Sequence, residues 1–245
     1  MHRIHFILLI TAFFCVKLQA QNKVRMHVSF EYGVQFPGSD LSDRFGTSFN
    51  LGSQFEIMLT ESLWHAGIKG MFLFGNKVSE DVISNLRTTQ GDVIGNDRSL
   101  ADISFRERGY FAGLYVGKVF SFNEKQPHSG IKLSLGGGIM QHKIRVQDNR
   151  STVNQITGEY AKGYDRLSNG PALYGFLGYQ HLAANRRLNF LAGVDYMLGF
   201  TENKRAYNFN EQRHDDAARN DSLFGFRIGL VLPITYGVPP ESIFY

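Results

Sequence analysis

Few residues in this 245-residue chain are suited to chemistry, and they are scattered. His214, Asp215 and Asp216 stand together in a polar stretch and offer the donor types of a metal site or an acid–base pair. They have no companion ligands, so their plain reading is a solvated loop. A serine nucleophile needs a histidine base beside it, and neither His181 nor His142 supplies one on its own strand. His181 is followed by Leu182 and Ala183, and His142 by Lys143 and Ile144. Gly136-Gly137-Gly138 lies inside an alternating segment, where small residues relieve crowding, and is not read as a phosphate loop. No catalytic residue, metal ligand or cofactor site is assigned, and neither enzyme activity nor a cofactor is expected.

A second polar set is far more regular. Arg25, His27, Glu31, Glu56, Lys69, Lys132, Asp195 and Arg227 each occupy the polar phase of a segment whose other phase is apolar. Three carboxylates facing four cations and one histidine are nearly balanced. Charges removed from water persist when they are paired, so the set is read as an internal salt-bridge network. The functional alternative is a proton or ion path.

Composition bounds the elements that must hold these charges. With 43% hydrophobic residues the chain is too apolar for disorder, and a formal charge of +4 is too small for a nucleic-acid binder. No apolar run reaches the ~18 residues of a membrane helix. Residues 1–20 are read as an export signal: Arg3 leads, Phe6 to Val16 is apolar apart from Thr11, and Leu18-Gln19-Ala20 ends in a residue that signal peptidase accepts. Phe14 stands where a lipidation signal at Cys15 needs a small residue. Cleavage before Gln21 removes Arg3, Lys17 and the single cysteine, leaving a formal charge of +2 and no disulfide. Residues 21–245 are read as one domain.

That domain alternates. Val24, Met26, Val28, Phe30, Tyr32, Val34 and Phe36 share one phase, with Arg25, His27, Ser29, Glu31, Gly33 and Gln35 in the other, which is strand periodicity. Seven more segments follow, about Phe45 to Leu59, Trp64 to Phe74, Tyr110 to Phe120, Ile131 to Ile139, Ala172 to Gln180, Leu188 to Phe200 and Phe224 to Leu232. Phe111 and Tyr115 break the polar phase of the fourth, and the sixth is aromatic and Gly-rich in both phases. Short connections (Thr60 to Leu63, Phe122 to Gly130, His181 to Arg187) alternate with others, of which Pro37 to Arg44 is modest and Asn76 to Arg108, Gln147 to Gly170 and Thr201 to Ser222 are long and polar. Eight strands with this alternation predict an all-β, closed, antiparallel transmembrane barrel, long loops outside and termini in the periplasm.

A soluble barrel has its apolar face inward. The polar phase here carries Gly33, Gly52, Gly67, Gly113, Gly117, Gly136, Gly193, Gly225 and Gly229, which suits the narrow interior of eight strands better than a solvated surface. Phe36, Phe45, Trp64, Phe74, Phe200 and Phe224 lie near strand ends, where interfacial girdles belong.

These features resemble the small eight-stranded outer-membrane barrels of the OmpA and OmpX types. Phe224 to Leu232 is similar to the final strand that barrel-assembly machinery reads, although Pro233, Pro239 and Pro240 follow it. Gln35-Phe36-Pro37-Gly38-Ser39-Asp40 and Lys162 to Gly170 resemble segments of an exported barrel family of bacteria with type IX secretion. That likeness implies a small barrel built into a larger outer-membrane machine. Lipid A deacylases and palmitoyltransferases share this size class, but the first needs the His and Ser pair on one strand, and the second a hollow apolar interior. The loop from Asn76 to Arg108 mixes charges with Val82, Ile83, Leu86, Val93, Ile94, Leu100 and Ile103, which predicts packing against another loop or another protein. The expected role is an accessory or scaffolding subunit of an outer-membrane complex for protein secretion or barrel assembly, with membrane lipid and other outer-membrane proteins as partners. A lipid-modifying enzyme and a free-standing adhesin or envelope-stability barrel are the alternatives.

Overall fold

The computed structural model describes residues 24–123, 126–183 and 188–234. Eight antiparallel strands follow one another round a closed sheet: β1 (Val24–Ser39), β2 (Ser48–Leu59), β3 (Trp64–Gly75), β4 (Ile103–Ser121), β5 (Gly130–Asp148), β6 (Ser168–Leu182), β7 (Asn189–Asn203) and β8 (Ala218–Ile234). A five-residue helix, α1 (Asp40–Arg44), crosses from β1 to β2. Closure comes from β1 pairing with β8, with Met26 opposite Ile234 and Ser39 opposite Asp221. No strand is left with a free edge, as a sheet without water to satisfy it requires.

All eight predicted strands are present, and they run further than the apolar pattern. β4 begins at Ile103, β5 continues to Asp148 and β8 begins at Ala218, all inside stretches read as loop from sequence. Pairing persists there with polar residues outward, so the hydrophobic signal ends before the ladder does. Pro233 does not interrupt the last strand either, since it stands opposite His27 within the β1–β8 ladder. The export signal and the rest of the C-terminal tail lie outside the described residues. Segments 60–63, 122–129 and 183–188 connect strands at the end that carries Val24 and Ile234, here the turn end. Segment 40–47 and the longer 76–102, 149–167 and 204–217 crown the opposite, loop end.

The outer wall is apolar round the ring. Phe30, Leu51, Ile68, Leu114, Leu135, Leu177, Tyr196 and Ile228 all project from it exposed. At the turn end Lys118 stands opposite Trp64, its Nζ 5.8 Å from the Trp64 and Phe120 ring centres. Ten residues along β4, Arg108 marks the other border. Ten residues span ~33 Å at ~3.3 Å each, and a strand tilt of ~40° converts that to a rise of ~25 Å, the height of an outer-membrane barrel's apolar band.

The interior alternates bulk with glycine. Phe111 and Tyr115, which break the polar phase of β4, point inward and are buried. Tyr115 lies over Gly67, where an added Cβ would stand 2.7 Å from its hydroxyl and 2.3 Å from the Phe55 carbonyl. Tyr174 and Phe176 of β6 likewise fill the interior, which settles the two-phase ambiguity of that strand. Met71, Leu191 and Met197 join them, so the core is apolar in part and not only charged and glycine-lined. Phe45 is not a girdle residue. It lies between α1 and β2, is 1% exposed, and packs edge-on against His142. With Leu41, Val82, Ile83, Val93, Val153, Ile156 and Tyr164 it forms an apolar cap over the loop end.

The close approach at Gly67 gives a direct test. Gly67→Val should lower stability by ~1–3 kcal/mol through overpacking, read as a lower urea midpoint of the folded electrophoretic band. Gly70→Ala, at an outward position with nothing within 4 Å of an added Cβ, should leave that midpoint unchanged.

Candidate functional site

Strand alternation turns one phase of every strand inward, and the register then decides which charges meet. Arg227 of β8 is the hub. Its Nη1 donates to Glu31 Oε2 at 2.8 Å and Asn50 Oδ1 at 3.1 Å, and its Nη2 to Asp195 Oδ2 at 2.6 Å. The Met71 sulfur lies 2.9 Å from the same Nη2. Glu31 also accepts from Lys69, whose ammonium sits 5.3 Å from the centre of the Tyr174 ring. Gln35 donates to Asp195 at 3.2 Å.

Nearer the turn end, Glu56 Oε2 accepts from Lys132 Nζ at 2.5 Å and from the Tyr115 hydroxyl at 2.9 Å. Lys132 donates also to Gln180 at 2.9 Å. His27 Nδ1 lies 3.8 Å from Glu56 Oε1, and His65 Nε2 3.9 Å from Oε2, both too long for a hydrogen bond. His65 Nε2 is instead 2.8 Å from Ser134 Oγ.

Room for these long side chains comes from the opposed residues. Arg227 stands between Gly33 and Gly193, and Glu31 between Gly52 and Gly229. Lys69 faces Gly113, Lys132 faces Gly178, Asp195 faces Gly225 and Glu56 faces Gly67. Every charge of the two clusters thus has glycine as at least one cross-strand neighbour. The remaining space among Glu31, Gln54, Tyr115, Lys132, Ser134 and Tyr174 is a cavity of ≈ 10 Å³ for water centres, room for about one water molecule.

Seven of the eight residues singled out in the sequence are therefore buried in two ion clusters, three carboxylates matched by Lys69, Lys132 and Arg227 with His27 beside Glu56. Arg25 is the correction. It is exposed at the turn end, because the inward step before His27 already reaches the last rungs of the β1–β2 ladder. His65, Tyr115, Asn50, Gln180 and Ser134 complete the clusters and were not singled out. His65 shares the inward phase of β3 with Lys69, so the pattern contained it.

A third buried group lies at the loop end, again unanticipated. His142 Nε2 is 2.7 Å from Asp221 Oδ2, which also accepts from Thr201 at 2.5 Å, and Arg219 reaches Oδ1 at 3.2 Å. Above it, Arg44 bonds Glu80 at 3.0 Å and the Ser168 hydroxyl at 2.9 Å, while Arg166 joins Glu80 at 2.7 Å to Glu211 at 2.8 Å. Burial pushes the Arg44 guanidinium below its ordinary range, with Arg219 adding to the effect. In the loops Asp165 holds Arg205 above that range through a hydrogen bond. These contacts tie four loops together. Asp215 lies 3.8 Å from Arg44, while His214 packs edge-on against Tyr207. The triplet read as possible metal donors is thus divided between two neighbours.

Ser134, His65 and Glu56 are the nearest approach to a nucleophilic triad. Serine and glutamate both approach Nε2, whereas a triad places them on opposite ring nitrogens. Glu56 does not stand at Nδ1, and all three residues are buried.

The ion clusters predict a specific pattern of stability. Lys132→Met should cost ~3–5 kcal/mol by leaving Glu56 buried without its cation. Lys132→Met combined with Glu56→Gln should recover most of that loss. Unfolding in micelles, followed by the single tryptophan, Trp64, on the outer wall, measures both.

No family model matches the chain, and no curated protein does. Among solved structures it is similar to Ail, the attachment invasion locus protein of Yersinia pestis, at 11% identity and a TM-score of 0.43, covering 86% of this chain and 99% of that one. It is also similar to the N-terminal β-barrel domain of Pseudomonas aeruginosa OprF, at 9% identity and a TM-score of 0.36, covering 84% and 97%. The assignment of fold rests on the strand pairing of this chain. A closed ring of eight antiparallel strands, apolar outside and polar within, is the architecture of the small outer-membrane barrels.

Proposed function

We propose that this chain is a non-conducting, non-enzymatic barrel of the bacterial outer membrane that acts as an accessory or scaffolding subunit of a larger outer-membrane complex, for protein secretion or barrel assembly. Its loops face outward and its turn end the periplasm. The carrying observation is the filled interior: Arg227, Lys132 and their partners occupy it, and the space left among Glu31, Lys132 and Tyr174 holds about one water molecule. The sealed Ser134 and His65 give substrates no access, which supports the non-enzymatic reading. What remains to act is the outer surface.

The loop end supports docking. Val82, Ile83 and Val93 are spent on the chain's own cap, but Ile94 and Leu100 bridge each other while 57% and 60% exposed. Tyr160, 66% exposed, adds a third apolar group. The Ile94 hairpin is tied down where Asn96 N–H donates to the Thr152 carbonyl at 2.8 Å, so it is presented on a fixed base. Preorganised apolar groups lose little entropy on binding.

The test is native isolation with a tag at the Gly91 turn, followed by native electrophoresis and mass spectrometry of the detergent-solubilised membrane. The expected result is a stoichiometric assembly far heavier than 27.7 kDa, released to a lone barrel by Ile94→Glu with Leu100→Glu. A lone folded barrel from the unaltered chain would contradict the subunit reading.

A further inference from the structure

The polar outer wall above the apolar band is not uniform. On the β4–β5 ladder Arg106 stands directly opposite Arg145, and Arg108 directly opposite Lys143. All four project outward, because their alternating neighbours Glu107, His142 and Ile144 are buried inside. Like charges directly opposite each other on a sheet destabilise it. Two such pairs in succession are a standing electrostatic cost unless an anion joins them.

Little of that charge is answered by the protein. Arg106 donates to the neutral Gln147 side chain at 3.1 Å, and Arg108 to the main-chain carbonyl of Glu107 at 2.6 Å. The Glu107 carboxylate itself points into the barrel. Lys143 lies 3.7 Å from Asp165, but that carboxylate is already held by both Nε and Nη2 of Arg205, at 2.8 and 2.5 Å. Among the described residues, no carboxylate forms a salt bridge with Arg106, Arg108 or Arg145. Arg108 feels both Arg145 and Arg106, with the neighbouring Glu107 opposing them less strongly.

Height selects the ligand. One outward step below Arg108 and Lys143, the Tyr110 hydroxyl donates to Gln141 at 3.3 Å, and one step further Ala112 stands opposite Ile139 in the apolar wall. Steps of two residues are ~7 Å each, which puts the four cations at the level of lipid headgroups. From Ala112 a groove of ≈ 570 Å³ runs across Gly70 to Ser53, walled by Phe30, Phe55 and Ile68. It exists because the outward positions of three adjacent strands are small. Cations above an apolar groove match a phosphate headgroup above an acyl chain, not a free anion.

We propose that Arg106, Arg108, Lys143 and Arg145 bind the phosphate of an anionic lipid whose acyl chain lies in the Ala112–Gly70–Ser53 groove. Guanidinium groups suit this task, since each donates paired hydrogen bonds to phosphate oxygens.

Short-chain phosphatidic acid, phosphatidylcholine of the same chains and inorganic pyrophosphate can each be titrated against the folded protein in neutral detergent, with binding read by native mass spectrometry. Phosphatidic acid should bind at least roughly tenfold tighter than phosphatidylcholine, and more weakly as salt rises. Arg106→Gln with Arg145→Gln should remove that preference while the folded band persists, and Arg213→Gln, an exposed cation elsewhere, should leave it intact. Gly70→Leu, which fills the groove, should weaken phosphatidic acid and spare pyrophosphate. Equal binding of the two lipids, or indifference to the paired arginine substitution, overturns the site. Indifference to Gly70→Leu, with pyrophosphate binding as tightly as phosphatidic acid, overturns the lipid and leaves a free-phosphate site.

Discussion

The structure turns on the ion pairing that Arg227 makes inside the barrel. An eight-stranded ring encloses just enough space for side chains, and this chain fills it with charge. One guanidinium joins Glu31 to Asp195, Glu31 is shared with Lys69, and a second cluster repeats the arrangement at Glu56 and Lys132. Removing such charges from water is costly, and pairing them largely offsets the loss. The pairing also fixes register, because a slip of one residue on any of the six strands that carry these charges would turn its charge out to lipid and an apolar side chain in. The glycines opposite each charge belong to the same constraint. They give Arg227, Lys69 and Lys132 room to lie across the lumen rather than along it.

Above and below that layer the chain solves different problems. The turn end is a shallow rim where Trp64 and Lys118 mark one border of the apolar wall. The loop end is a second folded layer: Leu41, Phe45, Ile83 and Tyr164 form its core, and Arg44 and Arg166 join loops far apart in sequence. His142 and Asp221 connect this cap to the barrel, with the Phe45 ring against the imidazole. The cap and the barrel are thus joined, and the apolar hairpin at Ile94 and the opposed cations of β4 and β5 stay on the outer surface.

Much of this was legible in the sequence, for a physical reason. Period-two alternation reports which face of a strand meets lipid, so the eight strands and seven of the interior charges could be read directly. Where both phases are apolar the signal fails, as at Phe111 and Tyr115, because an aromatic can serve the lumen as well as the membrane. Beyond the apolar band nothing distinguishes a polar strand from a loop, which hid the extensions of β4, β5 and β8. Contacts between strands that do not pair were also out of reach: Ser134 and His65 meet over Gly117 of the strand between them, and Phe45 leaves the girdle because the turn after α1 carries it inward. The opposed cations of β4 and β5 emerge only when the register pairs them.

Single-channel recording tests the closed lumen most directly. Purified, folded protein inserted into a planar lipid bilayer should pass no stepwise current over many insertions, since Arg227, Lys132 and their partners occupy the bore. Reproducible ohmic steps from the unaltered protein would contradict the account, for they would require a continuous water path through the ion clusters.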